Sequence, residues 1–200
     1  MVSQTKKIIL CFSLLVPLAM SACSPLGMAT GAGAATGIAA AREGGIRTSV
    51  SDARINAEIS DKWFKYDLKT FAKLNITVNQ GRVLLTGVVQ DPEDRVEAVR
   101  LAWQVDGVEQ VINEIRIADS EGLSGYVKDT WISAQLRTKM TFDRDIQSIN
   151  YSVDTVQQVV YLMGVAHTQE ELDRVKALSR SISGVKQVVS YVKMAGPDQD

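Results

Sequence analysis

Apolar positions change their spacing along the chain in a way that spells out elements. Ile55 and Ile59 stand four apart, neighbouring positions on one helix face, and Asp52 precedes them as a carboxylate suited to cap free backbone N–H groups at a helix start. The period then drops to two. Leu74, Ile76 and Val78 alternate with polar residues, Asn79-Gln80-Gly81 offers a turn, and Val83 to Val89 is rich in strand formers, so the spacing predicts a β-hairpin. Pro92 opens a second helix, where a missing N–H costs nothing, and Gly107 closes it. A third strand follows over Val108 to Ile117, with Val111 and Ile115 pointing inward. The order is αββαβ. In this α+β plan a three-stranded sheet must be covered on one face by its two helices to bury an apolar layer.

The same pattern returns at an offset of 77 residues without a gap. Asp52, Ile55, Ala57 and Lys62 recur as Asp129, Ile132, Ala134 and Lys139, while Val83, Leu85 and Gly87 recur as Val160, Leu162 and Gly164. Leu101, Gly107, Val108 and Gln110 come back as Leu178, Gly184, Val185 and Gln187. Residues 52–117 and 127–194 therefore read as two copies of one domain, joined by a short segment over Asp119 to Tyr126. A unit of this size has a thin margin of stability, so the copies are expected to pack together.

Ahead of the first copy the pattern vanishes. Residues 24–51 contain 13 Ala or Gly among 28 positions, too few side chains to bury, which predicts a flexible tether. Gly31, Gly33 and Gly37 have the wrong spacing for a dinucleotide fingerprint, and no strand precedes them. Further upstream, Lys6 and Lys7 lead into an apolar stretch, Ile8 to Met20, that is too short to span a bilayer and reads as a signal peptide over residues 1–22. The stretch ends in Met20-Ser-Ala-Cys23, which resembles a bacterial lipobox with Met where Leu is usual. That resemblance implies that Cys23 is acylated and begins the mature tether, residues 23–51. Ser24 after it is not Asp, which in Gram-negative lipoproteins is the pattern for sorting to the outer membrane.

Composition narrows the chemistry. With 22 Lys plus Arg against 23 Asp plus Glu in 200 residues, there is no positive field to condense on a phosphate backbone, which argues against nucleic acid as a partner. The two cysteines, Cys11 and Cys23, both lie in the leader region, so the folded part has no thiolate site, and His167 is the one histidine. The carboxylates Asp143 and Asp145 read as a loop surface, and Glu170, Glu171 and Asp173 as a helix first turn. No constellation suggests catalysis, a metal, a cofactor or a small-molecule substrate. Trp63 and Trp103 are expected to cover the sheet of the first copy.

Where the copies differ, function is expected. Arg54 of the first copy corresponds to Trp131 of the second. On a helix Trp131 lies away from Leu136, sharing a sector with Val127, Gln135, Thr138 and Phe142, while Lys128, Arg137 and Lys139 flank it. The first copy offers Arg54, Glu58, Asp61 and Lys65 there, an ordinary solvated face, so only the second copy reads as adhesive. Residues 127–194 carry 9 basic and 7 acidic groups, against 9 and 11 in residues 52–117. A ring beside cations suits the headgroup level of a bilayer. The alternatives are a Trp131 that packs between the two domains and a Phe142 that anchors a loop to the core.

Gly87, Gly107-Val108, Gly164 and Gly184-Val185 resemble the BON domain pattern, an αββαβ plan with a glycine after the second strand and a Gly-Val pair opening the third. Val105-Asp-Gly-Val-Glu-Gln-Val-Ile-Asn-Glu-Ile-Arg116 and Asp129-Thr-Trp-Ile132 are similar to the dual-BON outer-membrane lipoproteins. The resemblance implies a non-enzymatic periplasmic protein, lipid-anchored to the outer membrane, tied to envelope integrity and the division septum. It also implies that the second BON domain binds anionic phospholipid through its first helix. A rival expectation is an adaptor for the outer-membrane protein assembly machinery, in which the same face docks a protein; an enzyme acting on cell-wall or lipid substrates would need a polar catalytic pocket.

Overall fold

The computed structural model describes residues 42, 44–118 and 122–196, so the signal peptide, Cys23 and most of the expected tether lie outside the described residues. Helix α1 (Gly45–Phe71) leads into β1 (Leu74–Asn79), β2 (Arg82–Val89), α2 (Pro92–Trp103) and β3 (Gln110–Ile117). The second copy follows as α3 (Gly122–Phe142), a short 3₁₀ turn (Ser148–Asn150), β4 (Tyr151–Val156), β5 (Val159–Ala166), α4 (Gln169–Arg180) and β6 (Gln187–Met194). Each sheet has its second strand in the centre, antiparallel to the first and parallel to the third. Among the described residues no helix is long and apolar enough to cross a membrane.

Both helix starts differ from expectation. α1 begins at Gly45, so residues 45–51 are helical where a tether was expected, and α3 begins at Gly122, inside the expected linker. Once a helix is nucleated by an apolar row, each added residue gains a hydrogen bond at little further entropic cost. Asp52 is consequently not a helix cap. Its carboxylate accepts the backbone N–H groups of Gln80 (2.8 Å) and Gly81 (3.0 Å), and Asp129 accepts those of Gln157 (2.7 Å) and Gln158 (2.8 Å). Gln80 and Gly81, like Gln157 and Gln158, all have positive φ, the backbone of a type I′ hairpin turn. The repeated aspartate thus fastens the first helix of each domain to its own hairpin.

Each helix pair covers one face of its sheet. Ile55, Ile59 and Trp63 close over Val83, Leu85 and Ile115, and Ile132, Leu136 and Met140 close over Val153, Val160 and Leu162. Each such buried side chain contributes about 1.5–3 kcal/mol relative to exposure. Gly87 and Gly164 sit within the central strands rather than after them. A Cβ on Gly164 would stand 2.0 Å from the carbonyl oxygen of Asn150, and one on Gly87 2.6 Å from that of Lys73, so the first strand can cross closely only where the side chain is missing.

The opposite faces of the two sheets meet, as the small domain size led us to expect. Leu84 and Ile112 pack on Val156, Val159, Tyr161 and Met163, giving a stack of helices, sheet, sheet, helices. Polar ties ring this seam: Arg82 Nη2 donates to the Tyr191 carbonyl (3.0 Å), Arg116 Nε to the Tyr161 hydroxyl (3.2 Å), Thr86 and Asn75 donate to Asp154, and the Tyr191 hydroxyl donates to Glu114. Burial, with the Glu114 carboxylate beside it, pushes the Tyr191 phenol up to about 12. β5 is buried along its whole length because both of its faces are covered.

Candidate functional site

α3 turns its core row, Ile132, Leu136 and Met140, onto β4 and β5, and the rest of the helix follows from that rotation. At about 100° per residue, Val127, Trp131, Thr138 and Phe142 fall within about 60° of one another on the outward side. All four are exposed, Trp131 at 49% and Phe142 at 82%, and the exposed Tyr126 stands on the flank of the helix. The indole is therefore not packed between the domains, since the seam is made by the sheets and α3 lies on the far side of its own sheet. Nor does Phe142 anchor a loop; Met140 and Ile146 fill the core there, leaving its ring in solvent.

The duplication explains why position 131 is open. In domain 1, Arg54 closes the turn at Gly107, with Nη2 donating to the Asp106 carbonyl (2.8 Å) and Nη1 paired with Glu58 (2.6 Å). In domain 2 the matching turn at Gly184 is covered by Lys128, one helical turn earlier, whose Nζ donates to Gln158 Oε1 (2.7 Å). Position 131 is released from that duty. Arg137, on the other flank, donates to the Val153 carbonyl, while Lys139 is exposed and Gln135 half-buried beside the stripe. The sequence-predicted residues thus share one helix, with the cations on its flanks and the apolar groups along its crest.

Thr138 was expected at the site from the sequence, whereas Thr130 and Thr141 were missed. Thr130 donates its hydroxyl to Tyr126 O (2.9 Å), Thr138 to Ala134 O (2.9 Å) and Thr141 to Arg137 O (2.8 Å). Each hydroxyl is satisfied by its own helix. The signal was legible as a Thr spacing of eight and three, but threonine in a helix more often reads as a poor helix former.

Domain 1 is less inert than expected. Its solvated face is present as ion pairs, Arg54–Glu58 and Lys65–Asp61 (both 2.6 Å), yet Phe64 (62% exposed), Tyr66 and Leu68 stand out beside it. They gather at a kink where Asp67 leaves helical geometry and its carboxylate accepts Lys69 N (2.8 Å) and Thr70 Oγ1 (2.9 Å), which hold the carboxyl below its ordinary range, the Thr70 bond foremost. An open groove of about 490 Å³ lies between α1 and β1, lined by Trp63, Phe64, Leu68, Phe71, Leu74 and Ile76 among others. Trp63 itself is buried, donating Nε1 to Ala98 O (3.2 Å), whereas Trp103 is exposed at the end of α2 because Leu101 and Ala102 take the core positions.

The remaining candidates have structural partners. Asp143 and Asp145 face Arg174, at 2.8 and 3.4 Å, and the guanidinium keeps the Asp143 carboxyl low. Glu171 is buried, accepting the N–H groups of Gln147 and His167 (both 2.9 Å), and the His167 ring lies 3.1 Å from Asn150 Nδ2. Among the described residues no three His, Cys, Asp or Glu side chains converge to hold a metal.

Comparison with known proteins matches the BON domain to residues 51–119 and again to 128–196, most of the folded chain and both repeats. The chain belongs to the BON domain family. A protein described as "Uncharacterized protein in gshII 5'region" of Anaplasma centrale is 42% identical over 146 residues, 72% of this chain and 95% of that one. The Escherichia coli Osmotically-inducible protein Y is 27% identical over 72% of this chain and 73% of its own length. Outer membrane lipoprotein DolP of Haemophilus influenzae is 30% identical over 63% of this chain and 65% of its own. The second BON domain, 128–196, begins with the helical stretch that carries Trp131.

Proposed function

We propose that this protein is an outer-membrane-associated BON lipoprotein, held at the periplasmic face by acylated Cys23, whose second BON domain binds anionic phospholipid through the outer face of α3. The observation that carries the reading is the solvent-exposed row of Val127, Trp131 and Phe142 on a helix whose counterpart in domain 1 has Arg54 and Lys65 in ion pairs at two of those positions. The similarity to a relative named an outer membrane lipoprotein supports the location. Lys128, Arg137 and Lys139 supply positive charge at the flanks, each worth about 1 kcal/mol near an anionic surface. A role in envelope integrity and at the division septum follows from the family resemblance.

Trp131→Glu is expected to abolish lipid-induced NMR shifts in α3 with anionic phospholipid micelles while leaving the remaining amide spectrum folded. Unchanged shifts would refute the assignment. A second reading, an adaptor for outer-membrane protein assembly, is favoured by the groove and the exposed Phe64 and Leu68 of domain 1. Photocrosslinkers at positions 131 and 64 separate the two: lipid adducts at 131 support the first, and a discrete protein adduct at 64 or 131 supports the second.

A further inference from the structure

The outward face of α3 has an unusual polar inventory. Besides Val127, Trp131 and Phe142 it presents Ala134 and the threonines 130, 138 and 141, whose hydroxyls already donate to carbonyls one turn back. A hydroxyl bonded this way enters an apolar layer without leaving an unpaired donor, so the usual cost of burying a polar group is largely removed. The matching positions in domain 1 are Ala53, Asp61 and Phe64 for the threonines, and Arg54 for Trp131. Burying that face would strip water from the Asp61–Lys65 and Arg54–Glu58 pairs.

The cations of domain 2 stand to the side of this crest. Lys128 is drawn back onto Gln158 and Arg137 onto the Val153 carbonyl, which leaves Lys139 as the member of the trio with no hydrogen bond among the described residues. Residues 127–194 carry a surplus of two positive charges, 9 against 7, complementary to headgroup phosphate but too small to select strongly among anionic surfaces. Meanwhile Val127 and Phe142 bracket a stripe about 22 Å long at 1.5 Å per residue, with Trp131 between them. A helix carrying bulky groups along its length, with few charges at their level, lies flat and inserts its rings between headgroups.

We infer that the apolar crest of α3 reads lipid packing, in addition to the anionic charge met by the flanking cations: its face is a shallow wedge that binds phospholipid leaflets with gaps between headgroups, as on strongly curved membrane, while the cations hold it at phosphate level. This rests on the phospholipid reading above and adds what kind of leaflet satisfies it.

The test uses the full chain carrying Cys23→Ser, so that no acyl chain contributes, and the same chain with Phe142→Ser. Phe142 is 82% exposed, so that change leaves the fold intact. The ratio of their affinities isolates the wedge from any contact made by the leader. Vesicles of phosphatidylethanolamine and phosphatidylglycerol at one composition are prepared at diameters of about 30 nm and about 200 nm. The ratio is expected to be about tenfold on the small vesicles and under about threefold on the large ones, and to change by less than about twofold when the phosphatidylglycerol fraction is raised fourfold. Equal ratios at both diameters, or a ratio that tracks phosphatidylglycerol content, overturn the packing inference and leave the phospholipid reading standing. A ratio of one on every vesicle, together with unchanged binding for Trp131→Glu, overturns both.

Discussion

Asp129 shows how much a single side chain decides in this fold. Two non-glycine residues, Gln157 and Gln158, hold left-handed backbone, and their N–H groups point at one buried carboxylate. Replacing Asp129 by Ala leaves both donors without that partner and a strained turn without its tie, which is expected to cost about 1–3 kcal/mol in urea unfolding. Asp52→Ala should behave alike but more mildly, because Gly81 takes one of the two left-handed positions without steric cost. At the same scale the sequence was half legible. The offset of 77 marks both aspartates as equivalent, yet a carboxylate ahead of an apolar helical row reads first as a cap, and nothing local reveals a partner 28 residues away.

Elements were easier to read than their edges. The αββαβ order of each copy follows from the change of apolar period from about 3.6 to 2 at the hairpin, from Pro92 and Gly107 as punctuation, and from the 77-residue repeat. The start of α2 was legible at Pro92, but those of α1 and α3 were not, since both run back through segments with no apolar row, where propagation rather than burial extends them. The second covered face of β5 did leave a trace in the sequence: Val159-Val-Tyr-Leu-Met163 is apolar at every position, the mark of a strand buried on both sides, whereas β2 interrupts the run with Arg82 and Thr86. The kink at Asp67 was not legible. An Asp in mid-helix is ordinary, and only the turn it makes with Thr70 shows why Phe64, Tyr66 and Leu68 come to stand in solvent. The α3 stripe was legible because duplication supplies its own control. A position that is charged in one copy and aromatic in the other is relieved of core duty in both.

At the scale of the molecule, the sheet-to-sheet seam sets both stability and orientation. The Tyr191 hydroxyl donates to Glu114 across it and titrates near 12, above the ordinary phenol value of 10.0. The folded state therefore holds its proton more tightly than the unfolded chain does. This contribution is complete below about pH 10 and is lost as pH rises toward about 12. Burial shifts Tyr161, on the same seam, in the same direction. Thermal unfolding is expected to fall steeply over that interval, and Tyr191→Phe should flatten part of the fall while costing about 1 kcal/mol at neutral pH. With the sheets back to back, the outer faces of α1 and α3 point in opposite directions, so one flat bilayer meets only one of them. Positions 61 and 138 are equivalent by the repeat and both exposed, which makes them a matched pair of depth probes. Nitroxides introduced through Asp61→Cys or Thr138→Cys, one at a time, in the full chain carrying Cys11→Ser and Cys23→Ser, read for oxygen accessibility on phospholipid vesicles, test the account most directly. The label at 138 should enter the apolar layer while the label at 61 stays in water; a label at 138 that remains in water while the protein is membrane-bound would contradict it.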